Sequence, residues 1–165
     1  MLGIIGAIMS PKALKVYLDT SIFNFAISTQ DVAQERKITI QFLDHIKLGT
    51  FLGFVSGIVL REISNASQPK QNDLLKLMEQ FPLETLLRTA ETDLLAERYI
   101  QEKIIPLKHM DDALHIAIAS VNNIDVIASW NFEHLVKMKT RREVQAVNTL
   151  MGYKGVEICS PQEIM

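Results

Sequence analysis

At 165 residues the chain is long enough for one domain with a real core, and 48% apolar against 22% charged residues excludes a disordered segment. A formal net charge of −2 excludes a generally basic nucleic-acid binder, although not an enzyme with a local basic rim. The only cysteine, Cys159, excludes an intramolecular disulfide and fits a reducing, cytoplasmic setting.

Met1 to Met9 is apolar and uncharged. The run is shorter than the roughly 20 apolar residues of a membrane span and lacks the basic start of a secretory signal. Residues 1–14 are therefore expected to be a poorly ordered leader, with Met9 as a candidate natural start, and 15–165 a single domain. Val16-Tyr17-Leu18 has the branched and aromatic side chains of a buried strand. Asp19, Thr20 and Ser21 are turn and cap types, and Ile22-Phe23-Asn24-Phe25 continues as a helical turn. An acid leaving a buried strand before a helix stands where open α/β sheets place ligands, but capping that helix would equally explain Asp19.

Ser28 to Asp31 reads as a loop, and Ala33 to Leu48 as a helix in which Ile38, Phe42 and Ile46 recur every four residues, stopped by Gly49. Phe51 to Val55 is a second strand, followed by a short helix from Ile58 to about Asn65 that carries Glu62. A helix over Gln71 to Phe81, broken by Pro82, leads to a strand over Leu83 to Leu87. Thr89 caps the next helix, with Glu91 and Asp93 in its first turn. After the loop Leu107-Lys108-His109, the stretch Met110 to Ser120 is apolar nearly all round and rich in alanine, so it should be a buried helix. Asp125 to Ser129 is a strand ending at Trp130-Asn131. A short helix over Phe132 to Val136, a longer one over Thr140 to Met151, a last strand over Val156 to Cys159 and a turn begun by Ser160-Pro161 complete the chain. Such alternation predicts an α/β fold, a three-layer α/β/α sandwich around a mainly parallel sheet.

Asp19, Glu62, Asp112 and Asn131 fall where strands hand over to helices or in a buried helix's first turn. In a parallel sheet the carboxyl ends of the strands share one edge, so these residues can converge. Three carboxylates together repel unless a divalent cation lies among them, and hard oxygen donors suit Mg²⁺ or Mn²⁺. Each has a plain structural explanation as well: Glu62 as a solvated helix residue, Asp111 and Asp112 as first-turn acids, Asn131 as the start of a turn. Asp112 is preferred to Asp111 because it opens the alanine-rich face. His115, one helical turn from both, reads as a packing or supporting residue.

The set Leu18-Asp19-Thr20-Ser21, Glu62, Asp112-Ala113-Leu114-His115-Ile116-Ala117 and Ser129-Trp130-Asn131-Phe132 resembles the PIN domain family over about Lys15 to Cys159. The resemblance implies an α/β/α sandwich and a Mg²⁺- or Mn²⁺-dependent ribonuclease like the VapC-type toxins of toxin–antitoxin pairs, which are commonly homodimeric and restrained by an antitoxin protein. It makes Asp19, Glu62 and Asp112 the core catalytic and metal-binding acids, puts Ser21 near the metal and adds Asn131 as a metal-site residue where many members carry a fourth acid. That exchange removes a negative charge and puts a second metal in doubt. Lys137, Lys139, Arg141 and Arg142 form the clearest basic cluster and are candidates to bind RNA phosphates, or are simply a solvated helix start with Glu143. Trp130 is a candidate to stack on a base, with packing beneath the site preferred. Two rival readings are a phosphoacceptor switch domain and a catalytically silent binding module that grips an antitoxin or RNA.

Overall fold

The computed structural model describes residues 12–165. The apolar run Met1 to Met9, and its suggested alternative start, lie outside the described residues. The first strand, β1 (Leu14–Leu18), begins one residue inside the expected leader. It is followed by α1 (Thr20–Ile27), α2 (Ala33–Lys47), β2 (Phe51–Ser56), α3 (Gly57–Ser64), α4 (Lys70–Met78) and β3 (Leu83–Leu86). Then come α5 (Ala90–Gln101), α6 (Met110–Val121), β4 (Val126–Ala128), α7 (Met138–Leu150), β5 (Glu157–Cys159) and α8 (Pro161–Ile164). A single 3-10 turn, Leu107–His109, leads into α6 where the sequence suggests only loop.

All five strands are parallel, in the order β3-β2-β1-β4-β5. From β1 the chain steps outward one way through β2 to β3, then crosses back to β4 and steps the other way to β5. Right-handed crossovers therefore put α1 to α4 on one face and α5 to α7 on the other, the expected sandwich. Parallel strands covered on both sides read as apolar runs, and Val16, Tyr17 and Leu18 are all fully buried. Gly53 in β2 lets α2 sit close: a Cβ there would lie 2.9 Å from Ile46 and 2.6 Å from Leu83.

Local chemistry sets the helix ends. Thr89 and Thr92 form a reciprocal cap on α5, and Ser160 and Glu163 do the same on α8. Gly49 and Gly152 close α2 and α7 with positive φ values of 76° and 79°. One expected helix is absent: Phe132 to Val136 is an uncontinued turn. Leu135 N–H and Val136 N–H both donate to Asn131 O, at 3.0 and 2.9 Å, so the chain makes one closed turn and exits.

The strand order reverses between β1 and β4. In open α/β sheets the crevice outside the carboxyl ends at such a reversal is where ligands bind. Asp19 follows β1 and Ser129 follows β4, so this crevice opens between them.

Candidate functional site

An open depression at that crevice, about 440 Å³, is lined by Asp19, Thr20, Ser21, Asn24, Glu62, Asp112, His115 and Asn131. The fold thus gathers six of the residues that the sequence singles out. The four basic candidates are not among its lining; they sit at the start of α7.

Asp19 is the N-cap of α1 and is only 4% exposed. Its Oδ1 accepts from Ser21 N–H at 2.9 Å and from the Ser21 hydroxyl, and its Oδ2 accepts from Ser129 Oγ at 2.9 Å. Both hydroxyls are themselves fixed, since Ser21 Oγ accepts from Trp130 N–H at 2.8 Å and Ser129 Oγ from Asn131 N–H at 2.9 Å. The capping explanation of Asp19 and its place in the pocket hold together. Burial pushes its carboxyl above the usual range, and the charge of His115 with the Ser21 and Ser129 hydrogen bonds offsets this only in part.

Glu62 is held from both sides: Oε2 accepts from the Thr20 hydroxyl and from His115 Nε2 at 3.2 Å. Burial pushes its carboxyl up, but His115, Thr20 and Arg61 outweigh that and bring it below the usual range. His115, 1% exposed, is also bonded at Nδ1 to Tyr17 Oη at 2.6 Å, and Tyr17 Oη to Ser56 Oγ at 2.7 Å. Nε2–H donates to Glu62 in either protonation state. On the neutral ring Tyr17 donates to Nδ1 and Ser56 to Tyr17; protonation reverses both. Burial pulls the imidazole down, but Glu62, Asp19 and Asp112 outweigh it and raise its pKa.

Asp112 faces the pocket, whereas Asp111 turns outward to pair with Arg61. Burial raises the Asp112 carboxyl, helped by Asp19 and opposed by His115, His134 and His109. Its hydrogen bonding is thin: Asn131 Nδ2–H donates to Oδ1 at 3.3 Å, and His109 Nδ1 is 3.9 Å from Oδ2. Oxygen donors of this kind suit Mg²⁺ or Mn²⁺, and Asp19, Glu62 and Asp112 could hold such an ion, but among the described residues their carboxylate oxygens do not all lie within 4.8 Å of one another.

The amide of Asn131 is turned away from the metal-ligand role expected of it. Its oxygen accepts from His134 N–H at 3.0 Å and its nitrogen points to Asp112. It holds the loop and the acid. Arg141 is likewise committed, with Nη1 and Nη2 on Glu163 at 3.0 and 2.9 Å and Nε on Val136 O at 2.7 Å. Lys139 lies 3.8 Å from Glu143, and Lys137 and Arg142 are exposed. Trp130 is buried, stacked on Phe25 at 5.4 Å, and donates from Nε1 to Thr39 Oγ1 at 2.8 Å; it packs beneath the site and leaves no face free for a base.

Sequence reasoning passed over Ser129, Thr20, His109 and His134. Ser129 ends a strand and stands in the Ser129-Trp130-Asn131-Phe132 stretch but is given no role there, and its partner Asp19 is distant in the chain. His109 and His134 lie in different loops, and nothing in their spacing suggests that they meet.

No family profile matches the chain, and no curated protein matches its sequence. Solved structures do match. One is described as VapBC2 from Rickettsia felis bound to a DNA fragment from its promoter, with a TM-score of 0.55 at 14% identity over 89% of this chain and 98% of that one. Another is VapC20 of Mycobacterium tuberculosis, described as a sarcin-ricin loop cleaving toxin, with a TM-score of 0.52 at 11% identity over 72% of this chain and 92% of that one. The protein has the PIN-like α/β fold of VapC-type proteins, with an all-parallel five-stranded sheet. No described helix is long and apolar enough to cross a membrane.

Proposed function

We infer that the protein is a metal-dependent endoribonuclease of the VapC type, acting in the cytoplasm as the toxin of a toxin–antitoxin pair. The observation that carries this reading is the gathering of Asp19, Glu62 and Asp112 round one open depression at the reversal of strand order. The structural neighbours, VapBC2 bound to a DNA fragment from its promoter and a sarcin-ricin loop cleaving toxin, support the same reading. A cognate antitoxin and a homodimer are the partners that it implies.

Asp19 and Asp112 would hold a Mg²⁺ or Mn²⁺ ion, and Glu62, already bound by Thr20 and His115, would reach it through water. When bound, such an ion would supply charge neutralisation at the scissile phosphate and would lower the pKa of the attacking water. The hydroxyls of Ser21 and Ser129 fix both oxygens of Asp19, so the carboxylate need not reorganise when it binds. The Glu62 carboxylate, its pKa lowered by His115 and Thr20, would orient water or take its proton. Lys137, Lys139 and Arg142 remain to attract the RNA backbone, while Arg141 stays with Glu163.

The test is cleavage of structured RNA by the full chain with Mn²⁺, against Asp19→Asn and Asp112→Asn. Loss of cleavage in both variants and on chelation is expected. Cleavage persisting in Asp19→Asn would overturn the assignment, and RNA binding without cleavage by wild type would favour the silent module.

A further inference from the structure

Beside the acidic depression lies a second group that the proposed chemistry does not use. Among the described residues, the only three ligating side chains whose donor atoms all lie within 4.8 Å of one another are His109, Asp112 and His134. We propose that these three side chains form a site for a first-row transition-metal ion of the Zn²⁺ type, sharing Asp112 with the acidic pocket.

Geometry carries the proposal. Two ligands each about 2.1 Å from one ion are at most about 4.2 Å apart, and His109 Nδ1 already lies 3.9 Å from Asp112 Oδ2. The imidazole rings of His109 and His134 are immediate neighbours, with centroids 3.9 Å apart and planes tilted by 33°. The donor atoms are thus near enough to share one ion once the two rings rotate to aim their in-plane lone pairs at it. All three are partly buried, with side-chain exposures of 31%, 16% and 17% for His109, Asp112 and His134. They are screened by protein yet reachable from solvent.

The surroundings hold the three in place independently of any ion. His109 ends the 3-10 turn, its N–H donating to Pro106 O at 2.8 Å, so the ring stands at the entry to α6. His134 N–H is held by Asn131 Oδ1, and the same amide donates to Asp112. One asparagine thus braces two members of the cluster. Glu133 lies 3.7 Å from His134 Nε2 but is 84% exposed, and Lys108 lines the neighbouring depression with Glu62 and Asp112.

The donor set selects the metal. Two imidazoles with one carboxylate suit Zn²⁺, Co²⁺ or Mn²⁺, while Mg²⁺ favours oxygen and keeps its water. Three protein ligands leave further positions open, as in sites that admit water or a substrate oxygen. The Asn131 amide takes no part in ligation here; the nitrogen donors come from His109 at the entry to α6 and His134 in the turn after β4.

The inference goes beyond the nuclease reading, and its test needs no RNA. The full chain is titrated with Co²⁺, whose visible absorption reports imidazole ligation, and then with Zn²⁺ in competition with a chromophoric chelator. One ion is expected to bind to wild type and to Asp19→Asn, and millimolar Mg²⁺ should not displace it. His134→Gln and the pair His109→Gln with His134→Gln should weaken binding by about tenfold or more, with unchanged thermal midpoints in metal-free buffer. Wild type without a visible band, or the double variant binding as tightly as wild type, overturns the site. Asp19→Asn should keep the Co²⁺ band while losing RNA cleavage, so failure of one proposal is distinguishable from failure of the other.

Discussion

Tyr17 Oη on the central strand lies 2.6 Å from His115 Nδ1 on α6, with both residues shut off from solvent. Through that bond β1 reaches α6, and through His115 Nε2 it reaches Glu62 on α3. Four elements, β2, β1, α6 and α3, are pinned by one run of polar groups, Ser56, Tyr17, His115 and Glu62. Burial pushes the Tyr17 phenol far above its ordinary value, the charges of Asp19 and Glu62 add to this, and Ser56 opposes it. The hydroxyl stays protonated and available as a bonding group.

Tyr17→Phe keeps the ring and removes the oxygen, leaving His115 Nδ1 and the Ser56 hydroxyl without their shared partner. Leaving buried polar groups unpaired costs about 1–3 kcal/mol. An unfolding free energy lowered by that amount, read as a lower urea midpoint at unchanged slope, is expected, with cleavage reduced less than by Asp19→Asn. An unchanged midpoint would show that the chain of bonds contributes nothing.

Ser129→Ala strips the hydroxyl from Asp19 Oδ2 and removes the acceptor of Asn131 N–H. Supporting hydrogen bonds of this kind are worth about 10–100-fold in metal affinity or activity. Mn²⁺ affinity and Mn²⁺-dependent cleavage should fall together by that factor. A fall in stability with no change in either would make Ser129 purely structural.

The Arg141–Glu163 pair sets a pH dependence of stability. The Arg141 hydrogen bond holds the Glu163 carboxyl below its usual range, aided by Ser160 and opposed by slight burial. A depressed folded-state pKa contributes stability that is fully present above the unfolded value, about 4.3, and is lost as pH falls through the folded value. Glu163→Gln keeps an acceptor for the α8 cap while removing the charge. Because the pair is partly exposed, the expected loss is at most about 1 kcal/mol at pH 7. The difference between variant and wild type in thermal melts should shrink below about pH 4; a difference that grows on acidification would contradict the sign.

Salt dependence of RNA binding separates the basic residues. Each lost phosphate contact on a single strand lowers the logarithmic slope by about 0.7. Arg142→Ala, or Lys137→Ala with Lys139→Ala, should reduce the slope in a filter-binding or anisotropy titration. Arg141→Ala should lower the melting temperature and leave the slope unchanged, because its guanidinium is already held by Glu163 and Val136.

Much of the fold is legible in local chemistry. Thr89 before two first-turn acids, Gly49 and Gly152 after periodic helices, and the apolar runs of β1 and β2 each mark an element because the physics is confined to a few residues. The gathering of Asp19, Glu62, Asp112 and Asn131 is legible because parallel strands share one edge. What escapes depends on contacts between distant loops. Ser129 meets Asp19, His109 meets His134, and Arg141 meets Glu163 only after folding, and no periodicity encodes such meetings. The missing helix after Asn131 is instructive in the same way: the segment is amphipathic enough for a turn, but two N–H groups converge on one carbonyl and end it.

The central claim is that acids from α1 and α6, supported by Glu62 from α3, share one divalent ion. Anomalous diffraction from crystals of the full chain soaked in Mn²⁺ tests this most directly. A manganese peak within coordination distance of the Asp19 and Asp112 carboxylates, absent in Asp19→Asn, is the predicted result. Density confined to the histidine cluster, or no peak between the two acids at saturating Mn²⁺, would contradict it.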